Sequence, residues 1–243
     1  MPSLTNLVFS LQERERLHDN FRLWLVTDSF EGFPPAVLKQ SERLTLEGPT
    51  TVKHNALAAL SVMPEDIIAG FASATPLHKR LLYAVVLFHA AAQARRQFGP
   101  LGWNTSPAFT VDDLVCSLRG LPALLDAHGR TGSSARSAAP MAAIKHMVGV
   151  INYGGRVTDE HDRSILAAML DLHLQQVDAA RGATANVAAA QDCATLGELA
   201  AHVQAHLPEA AAPEAFGMHS SASFALCQQV CRTMRFHACA SSV

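Results

Sequence analysis

The sequence predicts a mainly α-helical protein, a helical bundle preceded by a short α/β segment. Three observations lead there. Apolar residues recur at helical spacing from about Leu77 to Leu207. Cap residues stand where those runs begin, at Thr110, Thr158 and Thr195. Strand-like composition is confined to the first fifty residues, where Phe21–Thr27 (FRLWLVT) mixes aromatic and β-branched residues and reads as a strand.

Along the chain, Asp28 to Pro35 is turn-rich, and Ala36 to Leu46 has room for a helical turn and a brief strand. Gly48-Pro49 punctuates the chain. His54–Val62 reads as a helix, and Pro64 with Glu65 and Asp66 opens a second. Leu77–Phe98 is apolar almost all round, as the central helix of a bundle would be, and stops at Gly99-Pro100. After Thr110, the residues Val111, Leu114, Val115, Leu118 and Leu121 share one face, and Pro122 is expected to kink or split that helix. His128–Pro140 has loop composition, Met141–Ile151 resumes as helix, and Asn152 to Thr158 is a tight loop. Thr158 is expected to cap Asp159–Ala180. Arg181–Ala194 is irregular, Thr195-x-x-Glu198 is a capping-box pattern, and periodicity is weak from Pro208. The domain boundaries expected are 1–52, 53–219 and a divergent tail 220–243.

Composition narrows the function. Of the 243 residues 49% are hydrophobic and 16% charged, enough apolar material for a core. The formal net charge of −2 carries no basic excess, which argues against a nucleic-acid partner. Five cysteines without framework spacing read as free thiols in a reducing compartment. The N-terminus has no basic region before an apolar run, so no signal peptide is expected. Leu81 to Ala92 is too short to span a bilayer, so no membrane partner is expected. Its flanking Lys79, Arg80, Arg95 and Arg96 are expected in water.

Catalytic motifs are missing from the sequence. No phosphate-binding G-x-x-x-x-G-K-[ST] loop occurs, and Gly154-Gly155-Arg156 lacks the Lys and a preceding strand. No G-x-S-x-G or H-E-x-x-H occurs. Cys227, Cys231, His237 and Cys239 have zinc-like spacing, but no second knuckle pairs with them, and they read as incidental. His89 and His173 lie on apolar helix faces and read as packed side chains. Asp159, Glu160 and Asp162 suit a helix N-terminus, where carboxylates offset the dipole, better than an acidic catalytic cluster. No catalytic, cofactor-binding or metal-ligating residue is assigned, and no cofactor is expected.

Two segments escape periodicity. Gln97–Asn104 (QFGPLGWN) breaks a long helix and presents Trp103, and Ile151–Asp159 (INYGGRVTD) does the same between two helices. Both fit corner turns plugged by aromatics, and both fit an interface with a neighbouring domain.

These segments carry a family resemblance. FRLWL at Phe21–Leu25, then Phe33-Pro34 and Leu38, resembles the dynein heavy chain pattern of a strand before a Phe-Pro turn. Thr45, Glu47 and Pro49 match the next stretch, from which Leu46 and Gly48 depart. Leu82-Tyr83, Phe88-His89, Gln93, Arg95-Arg96 and Phe98–Asn104 resemble the family's F-H-x-x-x-Q-E-R-R-K-F-G-P-L-G-W-N run, with Ala94 and Gln97 as departures. Asn152–Asp159, with Asp162-Arg163, is similar to its N-Y-G-G-R-V-T-D-D-x-D-R-R motif, and Pro213-Glu214, Phe216-Gly217 and His219 to the end of its lid. His128–Pro140, Arg181–Ala194 and Cys231–Val243 have no such likeness.

The resemblance implies an AAA+ lid-type helical bundle after a remnant of an AAA+ large subdomain. In dynein heavy chains six such modules form one ring, and the sixth closes it without hydrolysing ATP. The implied partners are neighbouring heavy chain modules and dynein complex subunits, with microtubules reached only through the whole motor. The implied location is the cytoplasm and cytoskeleton, the ciliary axoneme being one candidate. Lacking the other modules, the chain reads as a gene fragment, a mis-predicted gene model or a diverged stand-alone copy. A stand-alone helical interaction module is the alternative reading, and an unrelated small enzyme the weakest.

Overall fold

The computed structural model describes residues 2–12, 18, 20–27, 33–44, 48–130, 140–177, 187, 189–209, 212–216 and 218–228. The chain divides into two compact units, Met1–Gly48 and Pro49–Val243.

In the first unit, α1 spans Pro2–Gln12 and α2 spans Pro35–Gln40. α2 begins at a proline, whose fixed φ suits a first helical position, and it buries Val37. The helix at α1 was not legible from the sequence pattern. The strand expected at Phe21–Thr27 does not form: those residues are neither helical nor laddered, and no strand occurs among the described residues. A strand exists only through its ladder partners, and a single apolar run has none of its own. Trp24 and Val26 are accordingly 74% and 98% exposed.

The second unit is a bundle. α3 spans Val52–Ser61 behind the cap Thr51, whose hydroxyl accepts from the His54 N–H. α4 spans Glu65–Ala72 behind Pro64, with Glu65 and Asp66 at the positive end of its dipole. α5 spans Pro76–Ala94 and is the centre of the fold. Thr75 caps it by accepting from the His78 N–H. Leu81, Leu82, Tyr83, Ala84, Val85 and Val86 are consecutive and all buried, so every face of this stretch of the helix is covered. α3 and the helices Val111–Arg130 and Glu160–Gln175 surround it, with the short 3-10 turn Ala190–Asp192.

The end of α5 differs from an abrupt stop. The chain tightens into a 3-10 segment, Arg95–Leu101, and turns at Gly99, whose φ of 53° is the one positive value among the described residues. α6 then spans Val111–Arg130. Pro122 lies inside it, so of the kink or split expected there, the split does not occur. An internal proline costs about 3 kcal/mol through one lost hydrogen bond and a ring clash. Leu114, Leu118 and Leu121 are buried on the same helix at about 1.5–3 kcal/mol each. Packing outweighs the local defect.

α7 spans Met141–Lys145 and widens into a π-helical turn, His146–Asn152, followed by a 3-10 turn, Gly154–Arg156. α8 spans Glu160–Gln175. Its cap is Asp159 and not Thr158: the Asp159 carboxylate accepts from the N–H groups of His161 and Asp162. α9 spans Leu196–His206. Thr195 accepts from the Glu198 N–H, and the Glu198 carboxylate reaches back one residue further than a standard box, to Ala194. A 3-10 turn at Pro213–Phe216 buries Phe216, and residues 222–228 are helical.

Pro122 is exposed, so its ring contributes nothing to the core. Pro122→Ala is expected to raise stability by about 1–2 kcal/mol, the regained hydrogen bond exceeding the added unfolded-state entropy. Urea unfolding of the two proteins measures it.

Candidate functional site

The two segments that periodicity left unexplained meet in space. They form a polar joint at the end of α5, built on two charged side chains.

The first is Arg95, at the point where α5 tightens. It is only 5% exposed. Its Nε donates to the carbonyl of Gly102 at 2.7 Å, and Nη1 donates to the carbonyl of Phe216. Its guanidinium lies 5.6 Å from the Trp103 ring centroid. Burial lowers its pKa from the ordinary arginine value, and the nearby Asp162 charge opposes that shift. One planar cation thus ties α5, the turn after it and the chain near residue 216. Arg95 was expected in water with its neighbours. Arg96 is exposed, whereas Arg95 is buried, because it continues the row of Phe88, Ala91 and Ala92 on the inward face of α5.

The second is Asp162, fully buried in the first turn of α8. Its two oxygens accept from the backbone N–H groups of Asn104 and Thr105, each at 2.9 Å. Beside it, Asp159 accepts from the Asn104 amide at 2.9 Å while capping α8. The Asp159 pKa is lowered first by the Asp162 N–H bond, then by the Asn104 bond. The acidic trio therefore does more than offset the α8 dipole. Asp162 and Asp159 dock the QFGPLGWN turn onto that helix, while Glu160 remains exposed.

Aromatic rings fill the joint. Trp103 is buried, and its Nε1 donates to the Ala92 carbonyl at 3.2 Å. Phe109 meets Trp103 edge-on at 5.8 Å, Tyr153 meets Phe109 at 5.2 Å, and Phe88 meets Tyr153 edge-on at 5.1 Å. The Tyr153 hydroxyl pairs with His89 Nδ1 at 2.8 Å, and burial raises the tyrosine pKa well above its usual value. His89 is fully buried; its Nε2 has no partner among the described residues, and burial lowers its pKa to about 4. His173 is packed edge-on to Phe88 and donates Nδ1–H to the Met169 carbonyl at 2.8 Å. Both histidines are packed side chains.

The INYGGRVTD corner is held from α6. Arg156 Nε is 2.7 Å from Asp113 Oδ2, and the Asn152 amide donates to Ser117 Oγ at 2.9 Å. The glycine requirement here is at Gly154: a Cβ would stand 2.7 Å from the Gly149 carbonyl oxygen. Gly155 has no such neighbour and no positive φ.

Chemically, the joint anchors chain segments. Its carboxylates face backbone N–H groups and its arginine faces carbonyls, so neither faces a cavity as a base or an anion clamp would. No cluster of three metal-binding side chains occurs among the described residues. Of the cysteine-rich tail, Cys227 is exposed, and Cys231, His237 and Cys239 lie outside the described residues. The residue that sequence reading missed is Arg95; its one signal was a charge ending a helix that is otherwise apolar on every side.

Fold and joint define a helical-bundle module with α5 at its centre and its corners tied by buried charges. The family model of the dynein heavy chain AAA lid domain matches residues 78–222. Dynein axonemal heavy chain 1 of Mus musculus is 31% identical over 231 residues, covering 94% of this chain. The Homo sapiens heavy chain 1 is 34% identical over 171 residues, 70% of this chain, and the Homo sapiens heavy chain 12 is 35% identical over 159 residues, 64% of it. The chain belongs to the dynein heavy chain family, through its AAA lid domain. It spans about 4–5% of the length of these curated relatives.

Two outcomes test the joint. Gly154→Ala is expected to destabilise by about 1–3 kcal/mol through the backbone contact, and Gly155→Ala to stay within about 0.5 kcal/mol of the parent, both read by urea unfolding. Stability should also fall on acidification. The folded His89 pKa is depressed, so the unfolded chain binds the extra proton between about pH 6.5 and 4. That linkage is worth about 2 kcal/mol between pH 7 and pH 5. Unfolding curves at the two pH values read the loss, and His89→Gln should reduce it, leaving the share of His78 and His173, whose pKa values burial also lowers.

Proposed function

We propose that this chain is a structural module of a dynein motor ring, supporting microtubule-based movement within the dynein complex without hydrolysing ATP itself. The observation that carries the reading is the joint. Its charged and aromatic groups are spent on locking α5, α6 and α8 together, which suits a part that transmits motion as a rigid body. The family membership supplies the motor, and the axonemal relatives favour the cytoskeleton of a cilium as its setting.

The chemistry of nucleotide hydrolysis supports the reading without ATP turnover. Nucleotide hydrolysis in such modules needs a glycine-rich phosphate loop, a lysine against the phosphates and a carboxylate for magnesium. The sequence carries no such loop. Its partners are then neighbouring heavy chain modules, and microtubules are reached only through the complete motor. Whether the chain works as part of a longer polypeptide or as a separate lid-derived interaction module is decided by the reading frame upstream of Met1.

The test is a graft. Residues 49–228 replace the matching segment of the Mus musculus axonemal heavy chain 1, and ATP-driven microtubule gliding is measured. Gliding is expected to persist, and to be lost when the graft carries Trp103→Ala. A parallel titration of the chain alone with ATP and magnesium is expected to show no binding heat and no phosphate release. Turnover by the chain alone would overturn the reading.

A further inference from the structure

Beside the joint, on the outer side of the π-helical turn and α8, lies an open groove of about 610 Å³. That volume is within the roughly 300–1,000 Å³ typical of binding clefts. Its lining includes Gly149, Gly154, Gly155 and Leu170 together with Lys145, His146 and Arg163. The acid in the lining is Asp171, and it is already paired with Lys145 at 2.8 Å. Val150 lines the groove and is 60% exposed, and Ile151 next to it is equally exposed.

Three features of this groove point outward from the bundle. Arg163 spends Nε on the Val157 carbonyl, at 2.9 Å, which fixes the guanidinium while its terminal nitrogens stay on an exposed side chain. A guanidinium held in this way is preorganised for a carboxylate. Gly155 is exposed, has no positive φ, and a Cβ there would meet nothing. The fold does not need a glycine at that position, yet any side chain would project into the open space. Finally, two neighbouring aliphatic side chains stand in water next to an unmatched guanidinium, a combination typical of an interaction surface with a charged rim.

We infer that this groove is a docking site for an acidic segment of another polypeptide, one carrying an aliphatic side chain beside its carboxylates. The occupant is set by charge: Lys145 and Asp171 pair with each other, and Arg163 is left unmatched in the lining, so a carboxylate-bearing partner completes the site and a basic one is repelled. The aliphatic side chain covers Val150 and Ile151, and the main chain of the segment passes over Gly155, where the missing side chain leaves it room. This reading stands apart from motor function and holds equally for a separate interaction module.

The experiment uses the full chain and two labelled probes, a peptide of alternating Glu and Leu and its counterpart of alternating Lys and Leu. Fluorescence anisotropy is recorded at low and moderate salt. The acidic peptide is expected to bind, the basic one not, and binding to weaken as salt screens the contact. Arg163→Gln and Gly155→Leu should each weaken binding about tenfold, by loss of the bidentate contact and by filling the groove, with thermal unfolding of Gly155→Leu matching the parent. Val150→Ser, outside the core, serves as a third variant should Arg163→Gln unfold, and it should weaken binding as well. Equal binding of both peptides, equal binding to parent and variants, or displacement of the peptide by inorganic phosphate would overturn the docking site.

Discussion

The bundle depends on one constraint: a guanidinium that has left water must find every partner inside the protein. Removing such a cation from solvent costs several kcal/mol unless its donors and charge are met. Arg95 meets that demand with two carbonyls from distant parts of the chain, Gly102 and Phe216, and with the face of Trp103. Each of those partners is itself held. Gly102 belongs to the turn that Asp162 docks through Asn104 and Thr105, and Trp103 donates back to Ala92 on α5. The result is a closed circuit in which no member can move without leaving a buried polar group unpaired.

That circuit explains why the corners of the bundle are so densely polar in a chain this apolar. Helix faces alone specify that α5 is surrounded, but they are tolerant of sliding and rotation. The joint removes that tolerance. Asp113 fixes Arg156, Ser117 fixes Asn152, and Tyr153 enters the core beneath them to meet His89. Directional bonds set the register between α5, α6 and α8, while the apolar packing supplies most of the stability.

The departures from expectation have a common origin in competition between local and tertiary terms. Pro122 breaks helices by itself, yet α6 runs through it because the burial of Leu114, Leu118 and Leu121 is larger. Thr158 is a sound cap by residue type, but Asp159 reaches two N–H groups and the Asn104 amide together. Phe21–Thr27 has strand composition, but composition supplies no ladder, and the described residues contain no second strand for it.

The sequence by itself determined the helical character, the central position of α5 and the family. Those properties reside in periodicity, in cap residues and in short strings such as FGPLGWN and NYGGRVTD, all of which are local. It also marked those two strings as corners, since glycine, proline and aromatics interrupt the helical period there. What it did not determine was that the corners touch, or that Arg95 and Asp162 are the groups that join them. A charged residue reads as solvent-facing until its burial is known, and burial depends on which helices come together. The separation between Arg95 and Phe216, or between Asn104 and Asp162, is bridged only by the folded chain, so the joint is a property of the tertiary structure alone.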